Sequence, residues 1–151
     1  MAPQLPPTTP ADRAALSERW SQLPAMQHLG ARADFTGPAA VRVIISPLQP
    51  YHRGGMGTGA VNGAVIAGLC DAAIGMVGHL HAGPRRLGTV QLGIHFLRPL
   101  EGDSVTAIGR LIRAGTTLIF AGADVEDADG QICARGEGIV ALLGEPDDPA
   151  R

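Results

Sequence analysis

One carboxylate stands alone in a long apolar segment of the chain. Between Arg53 and Arg85 the only charged side chain is Asp71, and residues 61–80 are rich in Ala, Leu, Ile and Gly. A carboxylate is costly to bury in such surroundings unless a partner or a function holds it there. The chemistry this pattern indicates is that of a carboxylate acting as a general base or as a nucleophile.

Small residues share the helical face of Asp71. Walking the helix in steps of three and four residues, a stripe of alanine and glycine runs through Asp71: Ala64, Ala67, Gly68, Gly75 and Gly78. Each helical glycine costs about 1 kcal/mol relative to alanine, so three of them need a reason. One interpretation is close packing against another backbone, which includes the same helix of a second subunit. The other is a slot for a narrow substrate chain, with Gly75 against the substrate. The spacing allows both.

A glycine-rich loop precedes this segment and supplies a second possible chemical group. The backbone N–H of Gly63, at the predicted helix start, has no partner within the helix and could hold the oxygen of a polarised carbonyl. Asn62 either assists this donor or serves only as the N-cap. His52, Met56 and Gly57 are candidate substrate contacts, although a loop histidine is more commonly just exposed.

The spacing of apolar residues, together with capping and turn residues, predicts the helices and strands that could position these groups. Thr9-Pro10 predicts a helix through about residue 22, a second turn runs from 24 to 29, and a long buried helix covers about 61–80. Strands are predicted at 31–36, 39–46, 87–96, 103–113, 116–126 and 131–143. In the third of these strands, alternation places Val90, Leu92, Ile94 and Phe96 on one face and Thr89, Gln91 and His95 on the other. The sequence therefore predicts an α+β fold in which an antiparallel sheet wraps around a long central helix.

Composition restricts the class of protein. With 151 residues, the chain predicts a flexible arm over 1–9, one domain over 10–143 and a flexible tail over 144–151. A formal net charge of −2 argues against nucleic acid as a partner. Asp71 at the centre of the apolar segment argues against a membrane span. No signal-peptide pattern is present, and Cys70 and Cys133 are expected to be buried reduced thiols, so we expect a cytoplasmic protein.

Cofactor and metal sites find little support in the sequence. The histidines have no metal-type spacing, and His79 and His81 fall at the end of the long helix, where an imidazolium suits the helix dipole. The Gly57-Thr58-Gly59 run lacks the strand–turn–helix context of a dinucleotide site. Cys70 is rotated about 100° from Asp71 on the helix, away from the small residues, so a cysteine nucleophile is disfavoured. We expect no cofactor and no metal.

Three segments together resemble a known family. They are the loop and helix from Met56 to Asp71, the strand Gln91-Leu92-Gly93-Ile94-His95-Phe96-Leu97-Arg98-Pro99, and Arg113-Ala114-Gly115-Thr116-Thr117. In these segments the chain resembles the hotdog-fold acyl-CoA thioesterases of the phenylacetate-pathway and 4-hydroxybenzoyl-CoA type, over about residues 28–143.

The resemblance implies hydrolysis of the thioester bond of a small or aromatic acyl-CoA. It implies that Asp71 is the catalytic carboxylate, that the Gly63 amide polarises the thioester carbonyl, and that Thr89 helps to place the attacking water. It also implies a site shared between two subunits, in an assembly that is a homodimer or a homotetramer made of two dimers. Arg85, Arg86 and Arg113 are candidates for the CoA phosphates.

Two departures and two rival functions accompany the resemblance. Relatives usually carry His-Gly-Gly where this chain has Asn62-Gly63-Ala64, and the loop before Asn62 is about two residues longer than usual. A hotdog hydratase would need a histidine five residues after Asp71, where Met76 stands. The main alternative from another class is a non-catalytic acyl-CoA-binding protein of the same fold.

Overall fold

The computed structural model describes residues 9–55, 57–83 and 85–144. Of the predicted arm and tail, only Thr9 and Gly144 fall within these ranges, so both flexibility predictions concern residues outside the description. Met56 also lies outside the described residues.

The described residues form three helices and eight strands. The helices are α1 (Pro10–Ser21), α2 (Pro24–Leu29) and α3 (Gly63–Ala82). The strands are β1 (Arg32–Asp34), β2 (Val41–Ile45), β3 (Arg53–Gly55), β4 (Thr58–Val61), β5 (Arg86–Phe96), β6 (Val105–Ala114), β7 (Leu118–Asp127) and β8 (Ile132–Leu143). A short 3₁₀ turn, Pro50–His52, precedes β3.

The predicted helix ends are confirmed by their capping contacts. The Thr9 hydroxyl accepts a hydrogen bond from the backbone N–H of Asp12 at 3.1 Å, and Pro10 occupies the first helical position. Gly30 ends α2 with a φ of 64°, a conformation that glycine adopts without a Cβ penalty. The Asn62 side chain caps α3 by accepting from the backbone N–H of Ala64 at 2.8 Å.

One antiparallel sheet wraps around α3. Its six strands have the order β1-β2-β6-β7-β8-β5, and α3 packs against β2, β5, β6, β7 and β8. This confirms the predicted α+β architecture of a sheet around a long central helix. The additional β3–β4 hairpin was not predicted. Its strands have three and four residues and three glycines, so they carry no alternating pattern to detect.

The apolar character of α3 reflects its place in the core. By length and hydropathy this helix would be long and apolar enough to cross a membrane. Its side facing the sheet is buried, with Leu69, Cys70, Ala73, Ile74 and Val77 all fully inaccessible. Helix α3 is apolar along most of its length because strands cover much of it.

Close approach between α3 and the sheet depends on two glycines, which have no side chain. A Cβ at Gly78 would lie 2.7 Å from Cγ1 of Val140 in β8. A Cβ at Gly109 in β6 would lie 2.7 Å from the backbone oxygen of Ala73. Both distances are below van der Waals contact, so these two glycines permit the helix to sit against the strands.

Helix α1 is fastened to β1 and the residues after it by polar side chains. The buried Arg13 guanidinium donates to the backbone oxygens of Phe35 at 3.0 Å and Gly37 at 2.7 Å. The Ser17 hydroxyl accepts from the Phe35 N–H at 2.8 Å, and the Ser21 hydroxyl accepts from the Ala33 N–H at 2.9 Å. These bonds satisfy backbone groups on the free edge of the sheet and fix the position of α1.

An aromatic cluster joins α1, α3 and the end of β1. The Trp20 ring meets Phe35 and His79 edge to face, at centroid distances of 5.8 and 5.6 Å. Burial in this cluster lowers the pKa of His79, and the nearby Arg19 charge lowers it further. The expectation that the helix dipole favours an imidazolium here is therefore wrong for His79, because removal from water outweighs the dipole.

Substitution of Gly78 tests the helix–sheet approach. We expect Gly78→Ala to lower the free energy of unfolding by about 1–2 kcal/mol, because the overlap with Val140 exceeds the gain in helix propensity. Gly75→Ala is the matched control in the same helix, since its Cβ would meet only Trp20 Cη2 at 3.6 Å. That variant should be stabilised by up to about 1 kcal/mol. Urea denaturation measures both, and equal effects would contradict the close-packing account.

Titration of His79 should make stability depend on pH. Below a pH of about 6.5, unfolded chains take up a proton that the folded state resists, so the free energy of unfolding falls as the pH falls. We expect His79→Phe, which keeps an aromatic ring, to flatten this slope between about pH 7.5 and 5.5. His28→Gln, at an exposed position in α2, is the control. An unchanged slope in His79→Phe would show that other groups carry the dependence.

Candidate active site

A cavity of about 370 Å³ lies between α2, α3 and the start of β5. Its lining is mostly apolar and includes Met26 and Leu29 from α2, with Trp20 of α1 as one wall. Apart from the Trp20 indole N–H, the only polar side chains among the described lining residues are those of Asp71 and Thr89. A largely apolar cavity with few convergent polar groups is the usual form of a small-molecule site.

Asp71 lines this cavity with its carboxylate exposed. It forms no hydrogen bond or ion pair with any residue that the structure describes. Asp124 on the outer sheet face, by contrast, pairs with Arg110 at 3.4 Å and Arg135 at 3.0 Å. The expectation of a buried Asp71 is wrong for the single chain, because its sector of α3 is not covered by the sheet. An unpaired carboxylate beside an apolar cavity is available for reaction.

Thr89 reaches the same cavity through a β-bulge. The register between β5 and β8 pairs Thr89 with Val140 and then Gln91 with Ile139, so Val90 is an extra residue. Val140 is fully buried and contacts α3, and its partner Thr89 shares that inner face. The predicted alternation is therefore wrong here: Val90 is 63% exposed, whereas Thr89 joins Leu92 on the inner face.

The small residues of α3 fall into two groups, one packed against the sheet and one lining the cavity. Gly78 makes room for Val140 of the same chain, which is close packing. Gly68 and Gly75 line the cavity, and Cβ atoms there would lie 3.4 Å from Leu29 Cδ1 and 3.6 Å from Trp20 Cη2. The missing side chains at these two positions therefore leave the cavity open along the helix beside Asp71.

Gly63 and Asn62 form a separate group at the start of α3. Both polar atoms of the Asn62 side chain are used in structural hydrogen bonds. Its amide nitrogen donates to the Gly54 backbone oxygen at 2.6 Å, and its oxygen accepts from the Ala64 N–H and so caps α3. The Gly63 N–H has no acceptor among the described residues, and Phe96 lies above it. Neither residue lines the cavity of Asp71. The eight-residue separation along the helix corresponds to about 12 Å.

The loop residues predicted to contact substrate lie elsewhere. His52 is only 2% exposed; its Nδ1 accepts from the Gln49 N–H at 2.9 Å and its Nε2 lies 2.7 Å from the Leu29 oxygen. The expectation of an exposed loop histidine is thus wrong, because this ring joins the 3₁₀ turn to α2. Gly57, with a φ of 78°, lies in the turn between β3 and β4 and does not line the cavity. The prediction for Met56 concerns a residue outside the described ranges.

The three arginines that were predicted as candidates for the CoA phosphates differ in the contacts that they make. Arg85 donates to the backbone oxygens of Ala82 and Thr116. Arg113 packs over the Phe120 ring, 5.9 Å from its centroid. Arg86 is exposed and immediately precedes Leu87, one of the cavity residues. Of the three, Arg86 has the position best suited to a phosphate outside the cavity.

The sequence argued against a cysteine nucleophile and a metal site, and the surroundings of the relevant residues bear on both. Burial raises the pKa of the Cys70 thiol to about 11, with the negative charges of Asp124 and Asp71 adding to the effect. The thiol is therefore protonated and inaccessible, which agrees with the argument against a cysteine nucleophile. Cys133 is also a buried free thiol. Within the described ranges, no group of three or more His, Cys, Asp or Glu residues is arranged to hold a metal ion.

Sequence comparison identifies the family. The sequence model of the thioesterase superfamily matches residues 58–134, which is just over half of the chain. A curated relative, the medium/long-chain acyl-CoA thioesterase YigI of Salmonella typhimurium, is 30% identical over 95 residues. That match covers 54% of this chain and 61% of the relative, so it spans less than two thirds of the relative's length.

Solved structures share the fold over nearly the whole chain. Thioesterase HI1161 from Haemophilus influenzae superposes with a TM-score of 0.79 at 17% identity, covering 98% of this chain and 99% of that one. The Escherichia coli PaaI protein from the phenylacetic acid degradation operon gives 0.74 at 16% identity, covering 89% and 94%. With its sheet wrapped around α3 and the family match from β4 into β8, this chain belongs to the thioesterase superfamily and has the hotdog fold.

Proposed function

We propose that this protein is an acyl-CoA thioesterase in which Asp71 drives hydrolysis of the thioester. The observation that carries the proposal is the Asp71 carboxylate, which has no partner among the described residues and shares a largely apolar cavity with the hydroxyl of Thr89. The name of the curated relative supports acyl-CoA as the substrate class. A thioester of an apolar acid suits this site, because its acyl part is apolar and its reacting carbon needs a base or nucleophile.

Asp71 has two chemically complete routes. As a general base it takes a proton from water, whose oxygen attacks the thioester carbon, and the CoA thiolate then leaves and is protonated. As a nucleophile it forms a mixed anhydride as the thiolate leaves, and water hydrolyses that anhydride. The Thr89 hydroxyl lies in the same cavity and can hold the attacking water in either route. Both routes place negative charge on the carbonyl oxygen.

The Gly63 N–H is the proposed donor to that oxygen. Gly63 begins α3, where the helix dipole adds a partial positive charge to the unpaired N–H. Asn62 positions this donor by capping the helix and by holding the Gly54 oxygen. A separation of about 12 Å along α3 prevents one thioester group from touching both Gly63 and Asp71 of the same chain. The donor and the carboxylate must therefore come from different subunits.

A homodimer, alone or within a tetramer, satisfies this requirement. Within the described part of the chain, strand β5 lies at the edge of the sheet and pairs with β8 alone. The extra residue Val90 and the end of β5 expose apolar side chains, with Phe96 57% and Leu97 55% accessible. Phe96 also lies above Gly63. Because edge strands with apolar side chains pair readily, a second copy at β5 would bring its Gly63 region toward this site.

Replacement of Asp71 is the first test. We expect wild-type protein to release thiol from at least one acyl-CoA, and Asp71→Asn to lower kcat by roughly 100-fold or more, because the neutral amide neither accepts the proton nor attacks. Asp129→Asn is the matched control. Asp129 is exposed in the β7–β8 turn, where Asn-Gly is as suitable as Asp-Gly, so its activity should equal that of wild type.

Outcomes of this test separate the two candidate functions. If Asp71→Asn stays folded and as active as wild type, the carboxylate is structural and the proposed mechanism is wrong. If wild-type protein binds acyl-CoA without hydrolysing any thioester in the panel, the protein is an acyl-CoA-binding member of the superfamily.

Gly63→Pro tests the amide donor and the shared site together. Proline is accepted at the first helical position, and the preceding Asn62 already has a compatible backbone, with φ −63° and ψ 139°. We expect loss of one oxyanion donor to lower kcat by about 100-fold. Subunit exchange with Asp71→Asn should then restore roughly a quarter of wild-type activity, because half of the dimers are mixed and each holds one intact site.

Gly63→Ala is the control for this variant. It keeps the N–H, and its Cβ would meet Phe96 Cε1 at an ordinary 3.5 Å. Activity close to wild type in Gly63→Ala and loss in Gly63→Pro would identify the N–H as the required group. Recovery of no activity on mixing, with exchange verified by two affinity tags, would refute the shared site.

A further inference from the structure

The cavity beside Asp71 has a closed end and an open side. Along α3, Asp71 and Ala72 are at least partly accessible, whereas Gly75, one helical turn further, is buried. The Trp20 indole stands over Gly75, with Cη2 3.6 Å from where a Cβ would be. Leu23, which also lines the cavity, is 43% exposed. A chain entering past Asp71 would therefore end against Trp20.

We propose that the acyl group of the substrate lies in this cavity and that Trp20 is the wall that limits its length. The proposal rests on the thioesterase function proposed above and specifies its substrate class. Asp71 and Thr89 would then flank the reacting carbon, and the acyl chain would run over Gly75 toward the indole. Trp20 is a specificity-determining residue here, and it takes no part in the bond-breaking steps.

The closed end accepts an apolar acyl group in preference to a charged one. Beyond Asp71 and Thr89, the lining within the described residues consists of aliphatic side chains, glycine, alanine and the indole. A second carboxylate, as in a succinyl or malonyl group, would lose its water there and would meet no cationic side chain among the described lining residues, which is unfavourable. It would also approach the Asp71 charge. Straight-chain and aryl acyl groups have neither problem.

Trp20 is held firmly enough to act as a size limit. Its ring is packed edge to face against Phe35 and His79. Helix α1 is fastened to β1 and the residues after it by Arg13, Ser17 and Ser21, on the turns preceding and including the tryptophan. A side chain fixed on both its helix and its ring resists displacement by one or two extra methylene groups.

Chain-length profiles of matched variants test this role. With acyl-CoAs from acetyl to palmitoyl, Trp20→Ala should raise kcat/KM for chains longer than the wild-type optimum relative to that optimum by about tenfold or more. Gly75→Ala, which narrows the same end and favours the helix, should shift the profile to shorter chains. Leu16→Ala is the control, since Leu16 packs α1 against the core without lining the cavity. Its profile should match wild type.

Fluorescence supplies a readout that does not require hydrolysis. Trp20 is the only tryptophan in the 151 residues, so intrinsic emission reports on the closed end of the cavity. Titration with non-hydrolysable thioether analogues of the acyl-CoAs in the panel should shift or quench this emission for at least one of them. Free CoA, which has no acyl chain, should leave it unchanged. Trp20→Phe keeps an aromatic wall and should retain a profile nearer to wild type than Trp20→Ala.

The outcomes distinguish this inference from the proposed function. If thioesters are hydrolysed but neither Trp20→Ala nor Gly75→Ala moves the profile, the acyl group lies elsewhere and this inference is wrong while the function stands. If no thioester is hydrolysed but the analogue changes Trp20 emission, the cavity assignment holds and the catalytic proposal is wrong. Unchanged emission at saturating analogue would overturn the cavity assignment, and it would do so even if Trp20→Ala were poorly folded.

Discussion

The close approach of α3 to the sheet is the constraint on which the structure depends. Glycines on both sides allow it: Gly78 on the helix faces Val140, and Gly109 on β6 faces the Ala73 backbone oxygen. Because the sheet covers the apolar side of α3, the helix can be almost uniformly hydrophobic and still lie in a protein core. The sector that the sheet leaves uncovered is the one that carries Asp71, so the position of the carboxylate follows from how the helix is packed.

Local irregularities convert this scaffold into a site. The bulge at Val90 reverses the alternation of β5 and turns Thr89 toward the cavity of Asp71. Helices α1 and α2 line the side of the cavity that faces α3. Polar side chains of α1 hold that helix against β1 and the residues after it. The same bulge leaves Val90 exposed on the edge strand. One extra residue thus turns the Thr89 hydroxyl toward the cavity and adds its own apolar side chain to the proposed subunit contact.

In the proposed mechanism, the separation of Asp71 and Gly63 on one helix gives subunit assembly a chemical role. An oxyanion donor at the helix start and a carboxylate two turns later serve one thioester only when two helices contribute one group each. This geometry explains why a single chain leaves both the Gly63 N–H and the Asp71 carboxylate without partners among the described residues. Groups that are prepared for a substrate and a second subunit have no reason to be satisfied internally.

The sequence by itself determined the long central helix, the antiparallel strands and the isolation of Asp71, because periodicity, caps such as Thr9 and Asn62, and uninterrupted hydropathy are local properties. It also indicated the glycines of α3, though not which neighbour each one accommodates. Only the tertiary structure decided that Asp71 is exposed, that Thr89 joins it, that His52 is a buried link, and that Trp20 closes the cavity. Those outcomes depend on one bulge in the β5–β8 register and on contacts between residues some fifty positions apart, such as Trp20 and Gly75, which no spacing in the chain encodes.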